Sequence, residues 1–406
     1  MVVLIGAFSM VNGKLSCKFD DGISLFLICS PGEDDYNLNR GFVSDNNETY
    51  SINLKACRIS GVSNDCFHGL PSLVTLDISL NKIKTLPLGI FDDLIKLRYL
   101  NISHNLITDF PAGLLTRIPN LLELDLTGNN LKTLNPGAFN KISMLFLAKN
   151  AFQGNGMGPD VFQSSDINFM ILANNNMEGA PDSLLRTLRE LVYLNLEECS
   201  LTELPKFIAA QNLNTLTHLT LNGNKIREIS DATVFRHLKE LTVLNVAKNL
   251  IEKINDDAFA SLKKLEVIDL SANRLSTIAE NQFQNTPKLN FINLSHNLIT
   301  KLPVNAFRGT KLSELHLSDN RITYLQDNFC LELKNSGAVL MEFYFDRNPW
   351  QCACLKQLLR EVKSMNVKYD TTNYDGKRPV CVTTSLFVCR RQDDDNKLFI
   401  DMYDGV

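Results

Sequence analysis

A short phrase of regularly spaced apolar residues, most often with an asparagine at its ninth position, occurs thirteen times between Thr49 and Asn348, mostly 24 or 25 residues apart. The clearest copies are LVTLDISLNKI (residues 73–83), LRYLNISHNLI (97–107), LLELDLTGNNL (121–131) and LNFINLSHNLI (289–299). They fit the pattern L-x-x-L-x-L-x-x-N-x-L. One copy buries too little apolar surface to be stable alone, whereas stacked copies form a continuous core. The spacing therefore predicts one repeat domain, although 406 residues would otherwise suggest two or three domains.

The ninth position of the phrase holds asparagine in eleven copies and cysteine in two. An asparagine amide is both donor and acceptor, so stacked asparagines can bond the backbone groups that turn inward after each strand. A cysteine thiol supplies only a weak donor there. These positions are Cys57, Asn81, Asn105, Asn129, Asn150, Asn175, Cys199, Asn224, Asn249, Asn273, Asn297, Asn320 and Asn348.

The residues before each ninth position alternate as in a β-strand, with Leu124 and Leu126 facing inward and Glu123 and Asp125 facing outward. Later in the repeat, a phenylalanine predicts a second apolar layer on the convex side of the stack. These phenylalanines are Phe91, Phe139, Phe259 and Phe307.

The repeats resemble those of extracellular leucine-rich repeat proteins of the typical type, over roughly three quarters of the chain. The resemblance implies an α/β solenoid, a horseshoe of about 13 repeats at residues 49–348 with a parallel β-sheet on its concave face. It also implies disulfide-bonded caps, an N-terminal cap at residues 14–48 and a C-terminal cysteine cap at residues 349–390.

Eight of the ten cysteines lie near the two ends of the repeats, as in disulfide-capped extracellular proteins. Cys17 and Cys29 flank a short apolar segment and are expected to close the N-terminal cap. Cys57 and Cys66 bracket the loop of the first repeat and are expected to form a second bridge.

The segment NPWQCACLKQLLREVKSM (residues 348–365) resembles the start of a C-terminal flanking cap, and its apolar residues predict a helix that covers the last strand. The resemblance implies the pairs Cys352–Cys381 and Cys354–Cys389. Cys199 and Cys330 lie more than five repeats apart, too far to bond each other. Cys199 is expected to be an inert buried thiol, whereas for Cys330 a buried thiol and an intermolecular disulfide both remain open.

The two termini bear on localisation. Residues 1–13, MVVLIGAFSMVNG, are apolar and uncharged and predict a secretory signal, with a buried N-terminal strand as the alternative. No later run reaches the roughly 18 apolar residues of a membrane-spanning helix, and residues 391–406 form an acidic tail rather than a lipid-anchor signal. We therefore predict a secreted, extracellular protein without membrane insertion. A net charge of −4 offers no basic stripe for nucleic acid.

A cluster of apolar residues interrupts the polar concave face. The central outward position is usually short and polar, but it is Phe146 and Ile171 in two neighbouring repeats, and Met144, Phe169 and Tyr193 occupy the adjacent column. Solvent-facing sheet positions are expected to be polar, so these five residues predict a partner-binding patch. The alternative is that the two repeats are out of register and the side chains are packed, or that residues 151–169 fold over them.

Three sequons, at Asn47, Asn101 and Asn293, are candidate glycosylation sites in a secreted protein. The repeat consensus itself generates such sequons on concave strands. Glycans at Asn101 and Asn293 would cover the flanks of the sheet and leave its middle strands open.

No motif for catalysis, a cofactor or a resident metal is present in the sequence, so we predict a non-enzymatic protein. His296, His316 and Asp319 should be neighbours on the concave face. An exposed polar surface is the preferred interpretation of this group over a metal site.

Within the extracellular repeat proteins, the chain looks most like the insect, and especially mosquito, leucine-rich repeat immune proteins. The shared features are asparagine-rich repeats, cysteine at some ninth positions and the compact cysteine pattern of the C-terminal cap. That resemblance implies innate immune binding of a complement-like thioester protein, a pathogen-derived partner or another leucine-rich repeat chain, as a monomer or dimer. Seventeen residues follow Cys389 without heptads, as in a coil-less member or one truncated before its coiled coil. The alternatives are the ectodomain of a Toll-like or adhesion receptor and an extracellular matrix or adhesion protein.

Overall fold

The computed structural model describes residues 15–19, 26–40, 47–139, 141–158, 161–162, 166–370, 379–383, 387–393 and 396–405. The predicted signal, residues 1–13, lies outside the described residues. The chain divides into two compact units, Met1–Ser200 and Leu201–Val406.

Unit 1 contains a parallel sheet with one short strand per repeat. Its N-terminal hairpin pairs β1 (Ser16–Phe19) with β2 (Phe26–Ser30) in antiparallel fashion. Strand β2 then pairs in parallel with β4 (Ser51–Asn53), the strand of the first repeat. A 3₁₀ turn spans Gly154–Gly156, and β3 pairs with β5 outside the main sheet. The strands are β1 (Ser16–Phe19), β2 (Phe26–Ser30), β3 (Tyr36–Leu38), β4 (Ser51–Asn53), β5 (Ile59–Val62), β6 (Thr75–Asp77), β7 (Tyr99–Asn101), β8 (Glu123–Asp125), β9 (Met144–Phe146), β10 (Phe169–Ile171) and β11 (Tyr193–Asn195).

Unit 2 continues the same design through the last six repeats, again with parallel pairing between successive repeat strands. Its described strands are β12 (His218–Thr220), β13 (Glu228–Ile229), β14 (Val243–Asn245), β15 (Lys253–Ile254), β16 (Val267–Asp269), β17 (Phe291–Asn293), β18 (Glu314–His316), β19 (Glu342–Tyr344) and β20 (Lys368–Tyr369). Its described helices are α1 (Phe329–Asn335), α2 (Cys352–Ser364) and α3 (Asn396–Asp404), with 3₁₀ turns at Lys206–Ala209, Gln211–Leu213 and Val304–Phe307.

Each of the thirteen predicted repeats contributes one three-residue strand to the described structure. In nearly all of them the central residue is buried and its two neighbours are partly exposed, which is the alternation that the sequence predicts. The parallel leucine-rich repeat architecture is therefore confirmed, and every repeat strand has an inner face in the core and an open face toward solvent.

The ninth-position asparagines form the predicted hydrogen-bonded ladder. Asn249 donates through Nδ2 to the carbonyls of Leu221 at 3.0 Å and Val246 at 3.0 Å, and its Oδ1 accepts from the Ile226 amide at 3.1 Å. Cys199 is a partial substitute, since its thiol donates only to the Leu172 carbonyl at 3.3 Å. The ladder satisfies backbone groups that the short strands leave buried.

The predicted phenylalanine layer is present on the side opposite the sheet, and it has more members than the sequence analysis named. All of these rings are essentially inaccessible to solvent, and neighbouring rings stack with centroids 5.6–6.4 Å apart. The stacks comprise Phe67 and Phe91; Phe110, Phe139 and Phe162; and Phe235, Phe259, Phe283 and Phe307.

The caps contain three of the four predicted disulfides. Cys17–Cys29 joins β1 to β2, and Cys352–Cys381 and Cys354–Cys389 tie α2 to the segment that follows it. The Cys57–Cys66 bridge is wrong, because both residues are free thiols in the structure.

Cys57 fails to pair with Cys66 because it takes the ninth position of the first repeat. Its thiol points along the ladder and donates to the carbonyls of Cys29 at 3.4 Å and Lys55 at 3.5 Å. Cys66 lies buried in the following turn. Cys199 and Cys330 are also buried free thiols, which agrees with the predicted state of Cys199 and favours a buried thiol over an exposed one at Cys330.

The C-terminal cap has the predicted helix and one element that the sequence did not indicate. In α2, Cys354, Leu355, Leu358 and Val362 are buried on one face. Most of the predicted acidic tail belongs to α3, whose Phe399 and Tyr403 are buried in a small cluster with Val382.

Charged residues hold the segment of α3 against the repeats. Asp393 accepts from Lys301 at 3.1 Å and from the Tyr324 hydroxyl at 2.7 Å, and Arg321 pairs with Asp404 at 3.2 Å. Asp393 and Asp404 of the predicted acidic tail are thus ion-pair partners of the last repeats.

Candidate binding surface

The five predicted patch residues lie together on the open face of unit 1. Strands β9, β10 and β11 pair in parallel and in register, so that Met144, Phe169 and Tyr193 form one row and Phe146 and Ile171 lie in the next. All five are partly exposed. We call these five residues the apolar patch.

Ring stacking gives the apolar patch a defined shape. The rings of Phe169 and Tyr193 stack with centroids 4.3 Å apart and planes 11° from parallel, and Phe146 lies against Phe169 at 5.6 Å. Between them, Leu145, Met170 and Leu194 point into the core and are inaccessible to solvent. The out-of-register alternative is therefore wrong, because the alternation of inner and outer residues runs unbroken through these repeats.

The apolar patch replaces residues that have a structural role elsewhere. The central outward position of the sequence pattern is the last residue of each three-residue strand. In eight of the thirteen described repeat strands, an Asn or Asp at this position accepts a hydrogen bond through Oδ1 from the amide two residues later, at 2.8–3.1 Å. This bond fastens the turn that leaves the strand. The hydrocarbon side chains of Phe146 and Ile171 cannot accept it. Two adjacent repeats therefore lack a stabilising turn bond and present apolar surface to solvent instead.

The long irregular segment before β10 does not cover the apolar patch in its described part. Phe152, Phe162 and Ile167 are all buried, and Phe162 stacks on Phe139 at 6.4 Å in the phenylalanine layer opposite the sheet. The described residues of 151–169 thus complete the core, and the apolar patch stays accessible.

Further exposed apolar residues around the apolar patch were missed by sequence reasoning. Leu122 and Val192 lie one residue before β8 and β11, and Tyr99 begins β7; all three are at least 40% exposed. The sequence analysis followed the central outward position, whereas these three residues lie at other positions of the repeat. Those positions are polar in some repeats and apolar in others, so they gave no signal. Leu122 and Tyr99 extend the exposed apolar surface toward β8 and β7, and Val192 adds to it beside β11.

The three sequons lie in different environments. Asn47 is exposed, before the first repeat strand. Asn101 and Asn293 are partly buried at the central outward positions of β7 and β17, where each accepts the turn hydrogen bond, at 3.0 and 3.1 Å. Asn101 is two strands from Phe146 in the sheet, on the order of 10 Å away. A glycan there would crowd the apolar patch rather than frame it.

The predicted neighbours His296, His316 and Asp319 do not converge on one point. Asp319 pairs with Arg347 at 3.1 Å and lies 3.5 Å from His296 Nδ1. His316 Nε2 is instead 2.6 Å from Glu314 on its own strand. Among the described residues, no group of three or more histidine, cysteine or acidic side chains is arranged to hold a metal ion.

Unit 2 carries a second group of stacked rings on its open face, which sequence reasoning did not identify. His316 lies between Phe291 and Tyr344, with ring centroids 5.2 and 4.5 Å away. Lys368 pairs with Glu342 at 3.0 Å and lies over the Tyr344 ring. The polar groups of this cluster bond one another, so its interactions are largely internal. None of the described helices is long and apolar enough to span a membrane.

These features define a repeat protein whose strands each have an open face, and comparison with known proteins agrees with the fold. The family model described as leucine rich repeat matches residues 47–107, 95–152, 214–275, 239–299 and 263–322. The matches span more than half of the chain, which belongs to the leucine-rich repeat family.

Two characterised relatives illustrate the similarity in sequence. The chain is similar to osteomodulin from Bos taurus, with 27% identity over 205 residues that cover 50% of this chain and 47% of osteomodulin. It is also similar to lumican from Gallus gallus, with 29% identity over 204 residues, 47% of this chain and 59% of lumican. The chain therefore spans about half the length of the curated relatives it matches.

Solved structures share the fold at low sequence identity. A chain of the Drosophila Toll–Spatzle complex matches with a TM-score of 0.66 and 22% identity, over 85% of this chain and 54% of that chain. The leucine-rich repeat domain of APL1B matches with a TM-score of 0.60 and 18% identity, over 82% and 93%. A chain of the LRIM1/APL1C complex matches with a TM-score of 0.56 and 16% identity, over 87% and 63%. The fold is thus shared with the mosquito leucine-rich repeat proteins that the sequence resembles.

Proposed function

We propose that this chain is a non-catalytic protein-recognition module that binds its partner through the apolar patch of unit 1. The observation that carries the proposal is the replacement of the turn-bonding Asn or Asp by Phe146 and Ile171, in register and beside a stacked pair of rings. Such a replacement gives up about 1 kcal/mol of turn hydrogen bonding in each repeat. Partly exposed aromatic and methionine side chains are the residues that form the centres of protein interfaces.

The setting that we propose is extracellular and innate immune. Three disulfides in the described caps support an oxidising compartment. The matched structures include two protein complexes, Toll with Spatzle and LRIM1 with APL1C, and the first is described as a hub in Drosophila development and innate immunity. The partner class is a protein, with a complement-like thioester protein, a pathogen-derived protein or a second leucine-rich repeat chain as candidates.

The proposal is tested by affinity capture from the extracellular fluid of the source organism, with captured proteins identified by mass spectrometry. The variant Phe146→Asp/Ile171→Asp places two charges in the apolar patch and should reduce capture of a wild-type partner by at least about tenfold. The matched control is Val243→Asp/Val267→Asp, which makes the same kind of change at partly exposed open-face positions of unit 2.

The control should capture the partner as the wild type does. Equal capture by the Phe146→Asp/Ile171→Asp variant would contradict the proposed site. Secretion yield is measured beside capture, because a variant that is not secreted would show that its residues are needed for folding.

A further inference from the structure

Two carboxylates lie directly beside the apolar patch, on the neighbouring strand β8. Glu123 pairs in register with Met144, and Asp125 pairs with Phe146. Both point to the open face and both are partly buried. The edge of the apolar patch on this side is therefore acidic.

No other described repeat strand has this combination. Elsewhere the two outward positions of a strand carry at most one carboxylate, as in Thr75 with Asp77 or Val267 with Asp269. Two like charges on the same face of one strand repel each other, and partial burial increases the unfavourable energy. Burial, followed by the charge of Asp125, raises the pKa of Glu123 above its usual value. The fold therefore carries an unfavourable charge arrangement at the edge of the apolar patch.

The other outward glutamates have a histidine or lysine side chain as a partner, whereas Glu123 does not. Glu314 lies 2.6 Å from His316 Nε2, and Glu342 pairs with Lys368 at 3.0 Å. No described lysine, arginine or histidine forms an ion pair with Glu123 or Asp125.

The basic residues nearest in sequence to strands β7 and β9 do not supply the missing charge. Arg98 precedes β7 and lines a groove of about 310 Å³ with Tyr50, Lys96 and Asn120. Lys149 follows β9 and is exposed. Asp125 accepts a hydrogen bond from the Thr127 amide through one carboxylate oxygen, at 2.8 Å. Because an amide carries no positive charge, Glu123 and Asp125 have no cationic partner among the described residues.

We propose that the partner's contact segment places an arginine or lysine against Glu123 and Asp125 while an adjacent apolar or aromatic side chain covers the apolar patch. A guanidinium or ammonium group there would donate hydrogen bonds to the two carboxylates and would lie beside the ring of Phe146. The cation removes the like-charge repulsion, and the neighbouring side chain removes apolar surface from water. This inference rests on the proposed function of the apolar patch and adds the charge of its ligand.

The test is selection from a random twelve-residue peptide library displayed on phage, carried out on the whole chain. The wild type is compared with Glu123→Gln/Asp125→Asn, with Phe146→Asp/Ile171→Asp and with a control variant. The substitution Asp125→Asn keeps the turn acceptor, since Asn101 accepts the equivalent bond at 3.0 Å in the preceding repeat. The control is Asp269→Asn, the same change at a turn-bonding position of unit 2.

Wild type and Asp269→Asn should enrich peptides with an arginine or lysine next to an aromatic or aliphatic residue. The Glu123→Gln/Asp125→Asn protein should lose the preference for the basic residue and keep the preference for the apolar one. By calorimetry, one synthetic peptide from the wild-type pool should bind that variant about tenfold more weakly, with a smaller dependence on salt.

The remaining outcomes separate the two proposals. Apolar peptides without basic residues in the wild-type pool, lost only in Phe146→Asp/Ile171→Asp, would overturn the charge inference and leave the apolar patch as a binding site. Enrichment that is the same for wild type and Phe146→Asp/Ile171→Asp would overturn both proposals.

Discussion

At the scale of single residues, the two repeat positions that most often hold asparagine or aspartate have different structural roles. The ninth position is buried and bonds backbone groups of two repeats, whereas the central outward position bonds only its own turn. A substitution at the first leaves several buried groups unsatisfied, and a substitution at the second loses one partly exposed bond. This difference explains why the open face can exchange its asparagines for apolar residues while the ladder accepts only the occasional cysteine.

Removal of one ladder asparagine should destabilise unit 2 strongly. Asn249→Ala leaves the Ile226 amide and the carbonyls of Leu221 and Val246 without their side-chain partner in the core. We expect the free energy of unfolding, measured in urea, to fall by about 3 kcal/mol. Asn305→Ala, at an exposed position, is the control and should change stability by less than about 0.5 kcal/mol. A loss of the same small size at Asn249 would show that water replaces the amide.

We expect a glycan on the exposed sequon and none on the two partly buried sequons. Asn47 is exposed, whereas Asn101 and Asn293 are partly buried and use Oδ1 in a turn bond. For protein secreted from insect cells, we expect a mass decrease on treatment with an N-glycosidase that disappears in Asn47→Gln and persists in Asn101→Gln. A decrease that persists in Asn47→Gln and disappears when Asn101→Gln is added would place a glycan beside the apolar patch and would argue against its accessibility.

At the scale of elements, the sequence predicts what is periodic and misses what is not. The repeat strands and α2 follow from leucine spacing and one helical face, and the register of β9 and β10 follows from the neighbouring repeats. The irregular residues 151–169 could not be placed from periodicity, because their phenylalanines reach the core at non-consensus spacing. The two outward carboxylates of β8 can be read from the sequence, but their lack of an ion-pair partner among the described residues is visible only in three dimensions.

Helix α3 was not predicted because its composition is acidic and its apolar contacts are few. Phe399 and Tyr403 bury against Val382. Asp404 pairs with Arg321, and the Thr323 hydroxyl donates to Asn396. A helix that is attached by so few contacts can unfold while the larger core of the protein stays folded.

The docking of α3 should depend on Phe399. In Phe399→Ala, we expect the protection of the α3 amides against hydrogen exchange to fall by roughly a hundredfold, because the lost burial is about 3 kcal/mol. Amides of β14 and β16 should keep their wild-type protection. Leu398→Ala changes an exposed neighbour on the same helix and should have little effect. Unchanged α3 protection in Phe399→Ala would mean that the ion pairs of Asp393 and Asp404 are sufficient to hold the helix.

At the scale of the whole molecule, cysteine chemistry distinguishes the caps from the repeats. The six paired cysteines all lie in the caps, where the short hairpin and α2 have little core of their own. The four free thiols lie within the repeats or their loops and are buried. The position of Cys17 and Cys29 predicted the N-terminal disulfide, and the resemblance to capped repeat proteins predicted the two C-terminal ones. Neither predicted the fate of Cys57, whose place in the ladder outweighs its closeness to Cys66 in sequence.

The reactivity of the four buried free thiols can be predicted for the native and the unfolded chain. Burial raises the pKa of Cys57 to about 11 and of Cys66 and Cys199 to about 12, and it also raises the pKa of Cys330. Since only a thiolate reacts readily, native protein at pH 8 should show no thiol accessible to a disulfide reagent within minutes.

The same protein unfolded in guanidinium without reductant should show four thiols per chain. Two thiols would mean that Cys57 and Cys66 are bridged in the secreted protein. A covalent dimer on a non-reducing gel would place one of the four thiols at the surface, with Cys330→Ser the variant that identifies it. Four thiols released only on unfolding would confirm that the ladder at Cys57 and the core around Cys330 hold reduced cysteines in an otherwise disulfide-capped chain.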